Sequence, residues 1–274
     1  MLRIFILFAL AVLTGVPSFA QTTVTLPKVG QPGKDVVWVP TTQTLVTKML
    51  DLARVTERDF VIDLGSGDGR LVIAAAQRGA RALGIEYNSH LVELSRQMAE
   101  KEGVGDRVEF LNEDIYQSDL TRATVITLFL GEEINRKLQP KLLNLKPGTR
   151  IVSNTFKMDD WKTDDFDRAE TKEDEGYSRY NRAWLWIVPA KVEGTWLMSE
   201  GELMLTQKFQ MLEGWLKLGE ERLAISNGQL RGAQIHFTID GSDFMGQVNG
   251  YQIQGSMIRD GKTAPWTALR SPTR

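Results

Sequence analysis

The chain has 274 residues, 42% of them apolar and 25% charged, with a formal net charge of −2. That length accommodates one large domain or two, and a balance this close to neutral leaves no electrostatic footprint for nucleic acid. With no cysteine, the chain is excluded from disulfide bonding, thiol catalysis and a lipoprotein anchor.

Arg3 precedes the apolar run Ile4 to Val12, and Ser18-Phe19-Ala20 then supplies the small residues that a signal peptidase reads. Residues 1–20 are therefore expected to be a signal peptide cleaved before Gln21, with the mature chain in the periplasm. An uncleaved membrane anchor is the alternative, although the run is short for a bilayer span and no transmembrane span is expected in the mature chain. Residues 21–35 read as a flexible leader. Val36 to Thr41 then precede a helical pattern through Leu45, Val46, Met49, Leu50 and Leu52. Pro40 bars that helix from extending through it on the N-terminal side, and Thr41 is expected as the cap. In a functional role the same Val39-Pro40-Thr41 turn would close over a bound ligand.

Val61-Ile62-Asp63-Leu64-Gly65-Ser66-Gly67-Asp68-Gly69-Arg70 is the most informative run. It predicts a buried strand to Leu64, a turn with little side-chain bulk, and a helix over Leu71 to Gln77. Such a turn lets a nucleotide-like ligand approach backbone N–H groups at a helix N-terminus. A dinucleotide fingerprint counted from Gly65 would need glycine where Arg70 stands. Asp63 and Asp68 would repel a pyrophosphate but suit a ligand that carries an ammonium and a sulfonium, which points to S-adenosylmethionine. A second strand, Ala80 to Tyr87, ends at Glu86, placed to accept hydrogen bonds from both ribose hydroxyls. A third, Val108 to Leu111, leads into Asn112-Glu113-Asp114-Ile115, where Asp114 offers a carboxylate to the adenine amine and Ile115 an apolar neighbour to the ring. A fourth, Thr124 to Leu130, is apolar and β-branched without alternation, as in a strand covered on both faces.

Arg168 to Glu173 and Arg182 to Val188 are expected to complete the sheet as an antiparallel pair, with Trp184 and Trp186 on one face. Pro189 and Ala190 mark a boundary, beyond which short alternating runs are broken by glycines. Leu203 to Gln207, Gly214 to Leu218, Arg222 to Ile225, Ala233 to Ile239, Phe244 to Val248 and Tyr251 to Met257 read as an antiparallel meander forming a small barrel or sandwich. The units ending in Gly232, Gly250 and Gly255 are expected to bend the strands for closure. Residues 36–189 and 190–274 thus form two domains.

Together with Gly84-Ile85-Glu86 and the run Leu142 to Val152, these motifs resemble the class I S-adenosylmethionine-dependent methyltransferases. Within that class the chain is most similar to a bacterial group related to the mitochondrial lysine methyltransferases that modify the c-type ring component of ATP synthase. The resemblance covers about Trp38 to Pro189. It implies an α/β fold with a Rossmann-like seven-stranded sheet, with Asp63, Gly65 and Gly67 serving the methionine part of S-adenosyl-L-methionine, Glu86 the ribose, and Asp114 with Ile115 the adenine. Thr41, Ser66 and Asp68 complete the expected cofactor set. The acceptor end departs from the family: Leu130 to Asn135 contain no proline, Asn154-Thr155-Phe156 stands in place of a His-Asp-type pair, and there is no Asn-Pro-Pro-Tyr motif.

The methyl acceptor is expected to be a protein, with lysine as one option, or a small molecule, in either case of the cell envelope. Glu132, Glu133, Asp159 and Asp160 are candidates to bind an acceptor ammonium, and no general base is named. His90 and His236 lack a third nearby ligand, so no metal site is expected. The alternative function is an exported binding protein whose methyltransferase-like domain is inactive and whose β domain binds a ligand or partner. Oligomeric state is left open.

Overall fold

The computed structural model describes residues 25–170 and 179–272. The expected signal peptide lies outside the described residues, as does the leader up to residue 24. Among the described residues no helix is long and apolar enough to cross a membrane.

The first domain is a seven-stranded sheet built from β1 (Phe60–Leu64), β2 (Arg81–Glu86), β3 (Val108–Asn112), β4 (Val125–Leu128), β5 (Arg150–Asn154), β6 (Asp165–Arg168) and β7 (Arg182–Ile187). Its order is β3-β2-β1-β4-β5-β7-β6, with β1 to β5 paired in parallel and β7 antiparallel between β5 and β6. Helices α1 (Gln43–Leu52), α2 (Arg70–Gln77), α3 (Ser89–Lys101) and α4 (Glu132–Leu142) cover its faces. Alternation along β1 sends Val61 into one core, with α1 and α2, and Ile62 and Leu64 into the other, with α4. Because the order reverses between β1 and β4, their C-terminal ends open a crevice at a topological switch point.

The structure moves several expected boundaries. Thr42, not Thr41, caps α1, accepting from the Leu45 N–H at 3.4 Å. The fourth strand stops at Leu128, so Phe129 and Leu130 are free to turn into the crevice. The strand expected at 168–173 is found at Asp165–Arg168, where Phe166 packs 5.5 Å from the Trp184 ring; residues 171–178 lie outside the described residues.

The second domain is a closed eight-stranded barrel of β8 (Gly194–Met198), β9 (Glu202–Lys208), β10 (Met211–Leu218), β11 (Glu221–Arg231), β12 (Gln234–Ile239), β13 (Ser242–Asn249), β14 (Gln252–Arg259) and β15 (Lys262–Arg270). The two strands absent from the expected meander, β8 and β15, close it through the pairing of Leu197 with Leu269. Gly232 and Gly250 fall between strands, at hairpin turns, whereas the bends come from irregular pairing between Leu212 and Trp215 and between Ser226 and Gln229. The interior holds side chains, including Phe237, Phe244 and Trp266 with ring centroids 5.0–5.6 Å apart.

The β9–β10 hairpin tip ties the barrel to the first domain. Phe209 stacks on Trp161 at 5.8 Å, Gln210 Nε2 donates to the Lys162 carbonyl at 2.7 Å, and Lys208 pairs with Asp160 at 2.8 Å. Phe209 adopts φ 54°, an uncommon region for a bulky residue, and it is held there by the stack on a tryptophan that is 1% exposed. Phe209→Ala should lower the unfolding free energy by about 2 kcal/mol in urea titrations, with both domains unfolding in one transition. A loss under about 0.5 kcal/mol, the range of ordinary surface substitutions, would contradict this anchoring.

Candidate functional site

The loop after β1 is shaped by alternating backbone handedness. Gly65, Gly67 and Gly69 have φ of 73°, 56° and 79°, a left-handed region that L side chains seldom occupy. Between them Ser66 and Asp68 are buried. The Gly65 and Ser66 N–H groups donate to the Ile85 carbonyl at 2.8 and 3.1 Å, and Ser95 Oγ donates to the Gly67 carbonyl at 3.0 Å. The loop therefore lies flat on β2. Gly84 beneath it permits this approach, because a Cβ there would lie 2.6 Å from Ser66 Oγ.

Four carboxylates surround the loop, each with different hydrogen-bond partners. Asp63 ends β1 and is 3% exposed, its Oδ1 accepting from Thr127 Oγ1 at 2.6 Å. Burial pushes its carboxyl up to about 7; the Thr127 bond opposes that rise, and nearby Glu86 and Asp68 add to it. Glu86 is clamped by the backbone, with Gly67 N–H donating at 3.0 Å to one oxygen and Asn88 N–H at 2.9 Å to the other. Asp68 is engaged by the Arg70 guanidinium, which also donates to the Thr41 carbonyl at 2.6 Å. Asp114 accepts from the Tyr116 N–H at 2.9 Å and pairs with Lys34 at 2.7 Å; the Lys34 bond is the main reason its carboxyl sits below the usual range.

Thr41, not needed as a cap, is 5% exposed, and its Oγ1 accepts from Asn154 Nδ2 at 3.2 Å. The turn carrying Ile115 is fastened by Lys141, whose Nζ donates to the carbonyls of Ile115, Tyr116 and Ser118 at 3.2, 2.9 and 2.5 Å. Burial draws this ammonium below its ordinary value.

These elements enclose a cavity of about 540 Å³. Thr41, Asp63, Gly65, Ser66, Gly67, Asp68, Glu86, Asp114 and Ile115, all expected from sequence, line it together. Glu132, Glu133, Asp159 and Asp160 do not line it; Glu133 pairs with Lys137 at 2.9 Å and Asp160 with Lys208. Neither histidine lines it: His90 opens α3, and His236 sits on the barrel 3.7 Å from Asp243. Sequence reasoning missed a wall made by residues 31–38, within the stretch read as leader and just beyond it. Gly30 N–H donates to the Trp38 carbonyl and Trp38 N–H to the Gln31 carbonyl, each at 2.9 Å, and Lys34 Nζ also lies 4.2 Å from the Tyr87 ring centroid. The signal for that turn was Gln31-Pro32-Gly33, where proline and glycine favour chain reversal. Phe129, Leu130 and Ile134, none of them among the expected site residues, line the same cavity.

Residues 63–165 match the family model described as ANTKMT methyltransferase domain. A protein-lysine N-methyltransferase of Saccharolobus islandicus (strain REY15A) is 38% identical over 138 residues, which are 49% of this chain and 86% of that relative. The lysine N-methyltransferase of Xenopus laevis named for the ATP synthase c-subunit is 35% identical over 128 residues, 46% of this chain. That match spans 56% of the Xenopus protein, little more than half its length. Among solved structures, an RNA methyltransferase from Salinibacter ruber in complex with S-adenosyl-L-homocysteine is 41% identical. The match covers 56% of this chain and 96% of that one, with a TM-score of 0.51.

The raised Asp63 carboxyl makes a prediction about stability. The fold holds its proton up to about pH 7, against an ordinary value of 3.8, so the folded state binds more protons than the unfolded chain between those limits. The contribution of this group to stability therefore falls as pH rises from about 4 to about 7 and is level above that. Asp63→Asn should melt several degrees above wild type at pH 8 and show no such gain at pH 4, by scanning calorimetry without ligand. A difference independent of pH would contradict the assignment.

Proposed function

The chain belongs to the class I S-adenosylmethionine-dependent methyltransferases, and from that premise we propose that it methylates the side-chain amine of a lysine on a protein. The carrying observation is the cavity's mixed lining: carboxylates and left-handed glycines share it with Trp38, Phe129, Leu130 and Ile134, Leu130 lying against Gly65 and Trp38 against Gly67. The acids and glycines fit S-adenosylmethionine. Gly65 and Gly67 put no side chain in its way, and Asp63, poised near neutrality, would ionise beside an ammonium and a sulfonium. Glu86, already oriented by two backbone N–H groups, keeps lone pairs for the ribose hydroxyls. Asp114 would exchange Lys34 for the adenine amine, with Ile115 against the ring. Asp68 would act through Arg70 and Thr41, holding the loop to the turn before α1.

S-adenosylmethionine supplies a methyl group on a cationic sulfur, which keeps the bonding pair as the amine lone pair forms the new C–N bond. The apolar lining side chains would contribute proximity and the exclusion of water. A lysine amine, with an ordinary pKa of about 10.4, must lose its proton to solvent before it attacks, and burial against apolar side chains favours the neutral amine. Lysine as acceptor is supported by the Saccharolobus and Xenopus relatives. The Salinibacter relative's name would suggest RNA, but a net charge of −2 and carboxylates at the cavity wall work against a polyphosphate acceptor.

Incubation of the protein with isotope-labelled S-adenosylmethionine and cell-envelope proteins, or total RNA, tests this reading by mass spectrometry. The expected product is methyl-lysine; a labelled nucleoside without labelled lysine would overturn the acceptor. Glu86→Ala should weaken cofactor binding by about 100-fold or more in calorimetry, since bonds to a charged acceptor are worth about 1.5–3 kcal/mol each. An unchanged affinity would remove Glu86 from the site.

A further inference from the structure

Phe129, Phe156 and Tyr180 come from three separate loops, after β4, after β5 and before β7, yet their rings meet at the C-terminal edge of the sheet. Phe129 lies 5.9 Å from Phe156 and 5.2 Å from Tyr180, and Phe156 lies 6.1 Å from Tyr180. All three are half-buried and stand outside the sealed cores, unlike Trp161 and Trp186. Phe129 also lines the cofactor cavity, so the ring cluster runs from that cavity to solvent.

The backbone is forced to bring Phe156 there. Thr155 adopts φ 60°, an outlying conformation for a β-branched residue, and such strain persists only where the surroundings over-determine it. Its N–H donates to the Arg182 carbonyl at 2.6 Å, and its carbonyl accepts from Trp184 Nε1 at 2.7 Å. The buried amide of Asn135 donates to the Phe156 carbonyl at 3.1 Å. Ring faces in this neighbourhood already hold cations of the chain, with Lys157 Nζ 4.3 Å from the Trp184 centroid and Arg179 4.8 Å from that of Tyr180.

We propose that Phe129, Phe156 and Tyr180 form the acceptor subsite, a wall along which an alkyl-amine stem lies as its nitrogen enters the cavity at Phe129. This rests on the protein-lysine reading above. Aromatic faces accommodate an alkyl stem by area and a methylated ammonium by cation–π attraction, and they offer no hydrogen-bond donor or positive charge to a phosphate group. The subsite sets which nucleophile reaches the methyl group; the acids that line the cavity set which donor is held.

Two aza analogues of S-adenosylmethionine, with nitrogen in place of the sulfonium and carrying either a methyl or an aminobutyl arm, test the subsite by calorimetry without turnover. The aminobutyl arm should tighten binding about tenfold over the methyl arm in wild type, a gain of the size one cation–π contact supplies. Phe156→Ala and Tyr180→Ala should abolish that gain, Tyr180→Phe should keep it, and the methyl analogue should bind these variants as it binds wild type. No gain in wild type, or a gain that survives both alanine variants, would overturn the subsite while leaving the donor site standing. A phosphonate-ended arm that binds tighter than the aminobutyl arm would overturn it in favour of a nucleic-acid acceptor. Failure of both analogues to bind wild type would overturn the donor assignment, and the subsite with it.

Discussion

A carboxyl group buried at the end of a parallel strand, with a single hydroxyl as its hydrogen-bond partner, is the constraint around which this structure is arranged. Asp63 has Thr127 beside it and two further acids near it, so its ionised form is costly until a cation arrives. The strand must end there, because Gly65 turns left-handed and carries the chain onto β2 instead of onward. The same turn aims the Gly67 N–H at Glu86, so a feature of β1 orients a side chain of β2. Fold and site are one arrangement of backbone groups.

The remaining parts of the molecule hold that arrangement from outside. Arg70 joins Asp68 to the Thr41 carbonyl, and Asn154, at the end of β5, holds the Thr41 hydroxyl. Lys34 reaches from the N-terminal turn to Asp114 and Tyr87, so that wall of the cavity is fastened to the turn after β3. After β5, Asn135 fixes the backbone of residues 156 and 157. The barrel's hairpin tip stacks on Trp161 in the same loop. A packed barrel interior fits a brace for that loop.

What could be read from the sequence was what is local. The strand, glycine turn and helix from Val61 to Gln77 are written in consecutive residues, and the acids at Glu86 and Asp114 stand at or just past the ends of short strands. What could not be read depends on distant partners. Thr41 and Thr42 are adjacent and chemically alike; which one caps α1 is decided by Asn154, 113 residues away. Asp68 lines the cavity as expected, but its pairing with Arg70 is not legible in the sequence. The strands that close the barrel were hidden by Gly194 and Pro265, residues that ordinarily end strands. Phe129, Phe156 and Tyr180 are ordinary singly and become a feature only when three loops converge.

The most direct test of the coupling between Asp63 and a cationic ligand is the proton balance of binding. Calorimetry with S-adenosylmethionine at pH 6.5, repeated in buffers of different ionisation enthalpy, counts the protons released. A carboxyl that titrates near 7 without ligand and is ionised beside the cofactor should release about half a proton or more, absent in Asp63→Asn, and affinity should rise with pH to about 7. An enthalpy that does not depend on buffer, or one that depends on it equally in both proteins, would contradict the account.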